Sequence, residues 1–201
     1  MDQLVPATAI IVWFAQAALG AELGPLIEQC DGCHGTDGVS QWTDVPTIAG
    51  ISEFVHSEAL FLYQEDGRPC SSSKFRSGDT EREATDMCAV SKPLTEVEIE
   101  DLAAYYADKP FAPAKQEFDA ALAARGRTVH DEACELCHTD GGSNAEDDSS
   151  LLKGQWIGYM RQTLSDYRSG ERDQPERMKA KLDPLSDDDI EALIHFYASP
   201  N

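Results

Sequence analysis

The chain has 201 residues, long enough for one large domain or for two small ones of roughly 90 residues each. Its 37 acidic residues against 16 basic ones give a net charge of −21, which disfavours a role on nucleic acid or an anionic membrane and suits a basic protein partner, or solubility alone. Forty-one per cent of residues are hydrophobic, ordinary for a soluble protein, yet a domain of roughly 90 residues buries little of its surface and gains from added core material such as a large cofactor.

Residues 1–21, MDQLVPATAIIVWFAQAALGA, hold an apolar run that ends in small residues, as a secretory signal does. The run lacks a preceding Lys or Arg and Asp2 is acidic, but Pro6, Gln16 and its shortness argue against a membrane span. Cleavage near Gly20 or Ala21 and export are expected.

The next feature is CDGCH, residues 30–34, which returns as CELCH, residues 134–138. C-x-x-C-H is the signature of covalent c-type haem attachment: two thiols one helical turn apart add to the two vinyl groups of one haem, and the adjacent His is held at the iron. Cys30 and Cys33 are thus expected to bind one haem and Cys134 and Cys137 another, with His34 and His138 as iron ligands. Zinc ribbons separate their Cys pairs by about 15–20 residues, whereas Cys33 and Cys134 lie far further apart. A thioredoxin-like dithiol needs a βαβ context that this pattern lacks, and structural disulfides give no reason for the His after each pair.

The rest of the chain repeats as well. At an offset of 91, Met87 falls on Met178, Pro93 on Pro184, Leu94 on Leu185, Ile99 on Ile190, Leu102 on Leu193 and Tyr106 on Tyr197. Thr95 with Glu98, and Ser186 with Asp189, predict capped helix starts in both copies. FRSGD at 75–79 answers YRSGE at 167–171, and Gly50 answers Gly154, which predicts an insertion in the first copy within residues 52–72. Residues 108–115, DKPFAPAK, read as a linker, after which a helix resumes with Phe118 and Leu122 on one face.

Met87 and Met178 are the repeat-related candidates for the sixth iron position, while Met160, which has no counterpart, reads as core. His/Met ligation raises a haem potential and closes the iron to substrates, which suits electron transfer. The two remaining cysteines, Cys70 and Cys88, are expected to form a disulfide in an oxidising compartment, with a two-thiol metal site as the alternative. His56 and His195 read as surface or satisfied structural residues, and His130, one turn before Cys134, as a candidate for contact with a haem edge.

Residues 112–142, APAKQEFDAALAARGRTVHDEACELCHTDGG, and residues 154–182, GQWIGYMRQTLSDYRSGERDQPERMKAKL, closely resemble the dihaem cytochrome subunit of flavocytochrome c sulfide dehydrogenase. PTIAG, residues 46–50, resembles the proline-containing haem loop of cytochromes c. The resemblance implies an all-α fold of two tandem class I cytochrome c domains, residues 22–110 and 111–201 after the signal, each wrapped around one c-type haem. It implies a periplasmic heterodimer in which a flavoprotein subunit holding FAD oxidises sulfide and this chain passes the electrons singly to a soluble cytochrome c. The alternative is a free-standing dihaem carrier of the cytochrome c4 kind; a dihaem peroxidase would need an iron with an exchangeable ligand.

Overall fold

The computed structural model describes residues 15–200, with side chains from Leu23 onward. Of the segment read as a signal, residues 1–14 lie outside the described residues, and Ala15 onward is helical backbone continuous with the first C-x-x-C-H. No helix among the described residues is long and apolar enough to cross a membrane.

The first half contains α1 (Ala15–His34), α2 (Glu53–Gln64), α3 (Met87–Ser91) and α4 (Glu96–Ala107). The second contains α5 (Ala120–Ala133), α6 (Thr139–Gly142), α7 (Ile157–Ser169), α8 (Glu176–Leu182) and α9 (Asp187–Ala198). Local chemistry sets most of the helix starts. Ser52 caps α2 through Val55 N–H, Asp86 caps α3 through Ala89 N–H, and Asp119 caps α5 through the amides of Ala121 and Leu122. Asp119 therefore starts its helix after Phe118, which falls just outside it. Both predicted capping boxes are formed: Thr95 and Glu98 open α4, Ser186 and Asp189 open α9.

The second half is organised around the crossing of α5 and α9. Gly126 lets the two helices touch, since a Cβ there would run into the Ala192 carbonyl. Met160, Leu164, Leu182, Ile190, Leu193 and Phe196 pack beside that crossing, and Met160, 2% exposed, is a core residue.

The repeat is more regular in space than in letters, and it moves the insertion. The C-x-x-C-H motifs are offset by 104 residues (134 less 30), and the same offset carries α2 onto α7, Leu60 onto Leu164, Tyr63 onto Tyr167 and Arg68 onto Arg172. Both helices are followed by a left-handed residue at equivalent places, Asp66 (φ 59°) and Gly170 (φ 79°). From Met87 onward the offset is 91, so the 13 extra residues (104 less 91) fall between Arg68 and Met87. The insertion is therefore in 69–86 rather than 52–72, α2 and its His56 belong to the repeated framework, and the FRSGD–YRSGE match joins non-equivalent segments. Within the insertion Ser73 and Thr85 exchange backbone hydrogen bonds of 2.7 and 2.9 Å, the one isolated β-bridge among the described residues.

The halves are joined by more than the linker. Gln155, buried in the second half, accepts from Thr47 N–H at 3.1 Å and donates to Thr47 O at 2.6 Å. Trp156 Nε1 donates to Ser40 O, Tyr159 N–H to Thr43 O, and Asp173 N–H to Gly67 O. The extended linker packs between the repeated glycines: Phe111 lies against Gly50 and, with Pro113, against Gly154.

Candidate haem-binding sites

The last turn of α1 carries Cys30, Cys33 and His34, and the end of α5 leads into Cys134, Cys137 and His138. His34 is buried, with Nδ1 at 2.9 Å from Pro46 O; His138 Nδ1 lies 3.1 Å from Ser150 O. A carbonyl can only accept, so each Nδ1 carries the proton and each Nε2 keeps a free lone pair, the tautomer that metal ligation requires. In both halves the accepting carbonyl lies 12 residues after the His. Burial is the main cause that holds both imidazoles below their usual pKa and keeps them neutral.

None of the four cysteines of the motifs is paired in a disulfide. Burial pushes the Cys30 thiol up to about 11 and raises Cys33 and Cys134 as well.

Met87 opens α3 and Met178 lies in the first turn of α8. The two segments end alike, Leu94 N–H donating to Ser91 O at 3.0 Å and Leu185 N–H to Leu182 O at 3.1 Å, before the closing helices begin. Cys70 and Cys88 are bonded to one another, Cα–Cα 5.8 Å, so the bridge ties the start of the insertion to the residue after Met87.

A pair of arginines missed in the sequence tests the fit of haem. Arg68 lies 4.3 Å over the Tyr63 ring and Arg172 4.3 Å over the Tyr167 ring, and both arginines are buried. Arg172 Nη1 reaches Thr163 Oγ1, but its Nε has no acceptor; the nearby buried Asp166 is engaged by Gln162 at 2.6 Å. Burial would raise the Tyr159 phenol, yet Arg172 and Arg68 outweigh that and bring it down to about 8. Two guanidinium groups short of anions are costly in a protein interior. Haem carries two propionate carboxylates, which would add acceptors beyond the one buried carboxylate among the described residues, Asp166, and Arg68 is close enough to His34 to depress its pKa. The site residues fit the cofactor. A search for Y-x-x-x-x-R at the 104 offset would have found the pair.

The other histidines separate by environment. His56 is buried, its Nε2 is unpartnered, and burial brings its pKa down to about 4, so it is neither a surface residue nor a satisfied one. His195 is satisfied, its Nδ1 accepting from Asp119 N–H at 2.9 Å. His130 is fully buried between Tyr197 Oη at 2.9 Å and Glu135 Oε2 at 2.6 Å, so both ring nitrogens are engaged by protein. Glu135 also accepts from the amides of Asp140 and Gly141, which ties the CELCH loop to α9. In the first half Tyr106, the counterpart of Tyr197, donates directly to Asp31 at 2.9 Å.

A helical chain with a repeated C-x-x-C-H and a repeated His–carbonyl hydrogen bond defines a dihaem cytochrome of the class I kind. The comparisons agree. The chain is 30% identical to cytochrome c4 of Stutzerimonas stutzeri over 92% of this chain and 91% of that protein. It superposes on the crystal structure of reduced recombinant cytochrome c4 from Pseudomonas stutzeri with a TM-score of 0.70 and 28% identity, over 89% of this chain and 96% of that one. Residues 121–196 match the family model described as cytochrome C oxidase, cbb3-type, subunit III. A protein named thiosulfate dehydrogenase electron acceptor, from Thiomonas intermedia, is 28% identical over 84% of this chain and 76% of its own length. The chain belongs to the cytochrome c4 family of dihaem electron carriers.

Proposed function

We propose that the protein is a periplasmic electron carrier, exported by a signal cleaved near Gly20 or Ala21, with two haem domains at residues 22–110 and 111–201. In this reading Cys30 and Cys33 hold one haem by thioether bonds, and Cys134 and Cys137 hold the other. His34 with Met87, and His138 with Met178, would be the protein ligands of the two irons. The single observation that carries the reading is the paired Nδ1 hydrogen bond, His34 to Pro46 O and His138 to Ser150 O, which leaves a neutral Nε2 free in both halves.

Bound haem supplies one-electron redox chemistry; the chain's part is to hold it still and dry. Neutral His and thioether sulfur are ligands that need no proton exchange as the oxidation state changes, so reorganisation is small. Arg68 and Arg172, which both act on Tyr159, would neutralise propionates.

Whole-chain similarity to cytochrome c4 favours a free-standing carrier, which accepts electrons from one redox protein and delivers them to another. The second reading makes the chain a subunit of a flavocytochrome c sulfide dehydrogenase, with FAD on the partner flavoprotein and a soluble cytochrome c as acceptor. It is favoured by the relative named as the electron acceptor of a sulfur-compound dehydrogenase. Purification from the native organism, with haem and flavin counted per chain, separates them. A chain that elutes alone with two haems and no flavin supports the carrier; stoichiometric flavin on a tightly bound partner supports the subunit.

A further inference from the structure

The two C-x-x-C-H turns are covered differently. In the first half the residue before Cys33 is Gly32, and a Cβ built there would lie 2.6 Å from Phe75 Cδ1. Phe75 belongs to the insertion and is buried. The amides of Arg76 and Ser77 donate to Gly32 O at 2.7 and 3.1 Å, and Ser77 Oγ donates to Asp31 O at 2.7 Å. Arg82 closes over the outer face of the Phe75 ring at 3.9 Å. The Cys70–Cys88 bridge and an ion pair from Arg76 to Asp44 brace this cover.

Among the described residues the second half has no such cover. Only residues 173–177 separate Arg172 from Met178, and the place of Gly32 is taken by Leu136, which is 88% exposed. That exposure is the highest of any large hydrophobic residue described. Between Arg127 and Lys153 the chain carries seven carboxylates and no lysine or arginine. The insertion over the first turn, by contrast, contributes Lys74, Arg76 and Arg82 among its acids.

A haem held by thioether bonds would have its vinyl-bearing edge at the C-x-x-C turn, so an uncovered turn would bring a docked partner close to that edge. Electron transfer between proteins falls steeply with edge-to-edge distance. An apolar contact ringed by one sign of charge is a docking surface for a partner of opposite charge. We infer that the Leu136 surface is the port through which the second haem exchanges electrons with a basic redox protein, and that the insertion closes the equivalent port on the first half. This deepens the carrier reading above and rests on haem being bound at both motifs.

The test is stopped-flow oxidation of the reduced, haem-loaded protein by a basic mitochondrial-type cytochrome c at low ionic strength. Glu132→Lys with Asp140→Lys, both exposed and flanking Leu136, should lower the second-order rate constant about tenfold and flatten its salt dependence. Leu136→Ala should lower the rate at high salt as well. Asp79→Lys with Glu83→Lys, exposed on the insertion, should leave the rate within about twofold. Equal losses from both charge reversals, or no loss from the first, would overturn the proposal. Haem per chain and the rate with a small neutral hydroquinone are measured on every variant. A wild type without two haems overturns the haem reading itself, whereas unchanged haem content and hydroquinone rate assign any loss to docking.

Discussion

His34 and His138 show how little a side chain's identity says without its neighbour. Each is a ligand candidate because a carbonyl 12 residues on fixes its tautomer, and no composition count could supply that. Lys153 makes the same point with charge. Its ammonium donates to Phe196 O at 2.9 Å and lies 4.0 Å over the Phe196 ring, while burial, and then the charge of Arg127, bring its pKa down to about 8. An unfolded lysine titrates near 10.4. Between about pH 8 and 10.4 the unfolded chain holds a proton that the folded chain has released, so stability rises with pH through that window. Urea midpoints at pH 7 and pH 10 should therefore show wild type gaining on Lys153→Met by on the order of 1 kcal/mol. A gap that does not widen with pH would mean the lysine is not held in this environment.

Among the elements, the ends of the repeat were legible in the sequence and its middle was not. The C-x-x-C-H motifs and the capping boxes of α4 and α9 depend on particular atoms, so their letters repeat. The turn after α2 and α7 depends on one left-handed residue, and Asp66 fills it as well as Gly170 does. Conformation was kept while letters drifted, and FRSGD offered a closer but false match. The Tyr–Arg stacks and the Tyr197–His130–Glu135 chain were hidden for a related reason: they join residues far apart in sequence whose spacing has no local period. The disulfide is the element on which the insertion depends. Closing an 18-residue separation constrains the unfolded chain by about 3 kcal/mol. Cys70→Ser with Cys88→Ser should lose about that much stability to urea. A loss near zero would mean that the insertion is held by its packing on Gly32 and Asp31 alone.

At the scale of the molecule, the two halves repeat one framework broken by one insertion, and their boundary is built from backbone as much as side chain. Gln155 satisfies both polar groups of a buried Thr47 peptide position across that boundary. Gln155→Leu strands those groups and should cost about 2 kcal/mol or more, read as a lower denaturation midpoint; an unchanged midpoint would show that water replaces the amide.

Repetition of an attachment motif, a ligand tautomer and a buried arginine makes sense only if both halves hold the same cofactor. The direct measurement is an alkaline pyridine haemochrome spectrum of the mature protein, with intact mass taken on the same sample. Two covalently attached haems per chain are predicted. One haem, or none, would contradict the account.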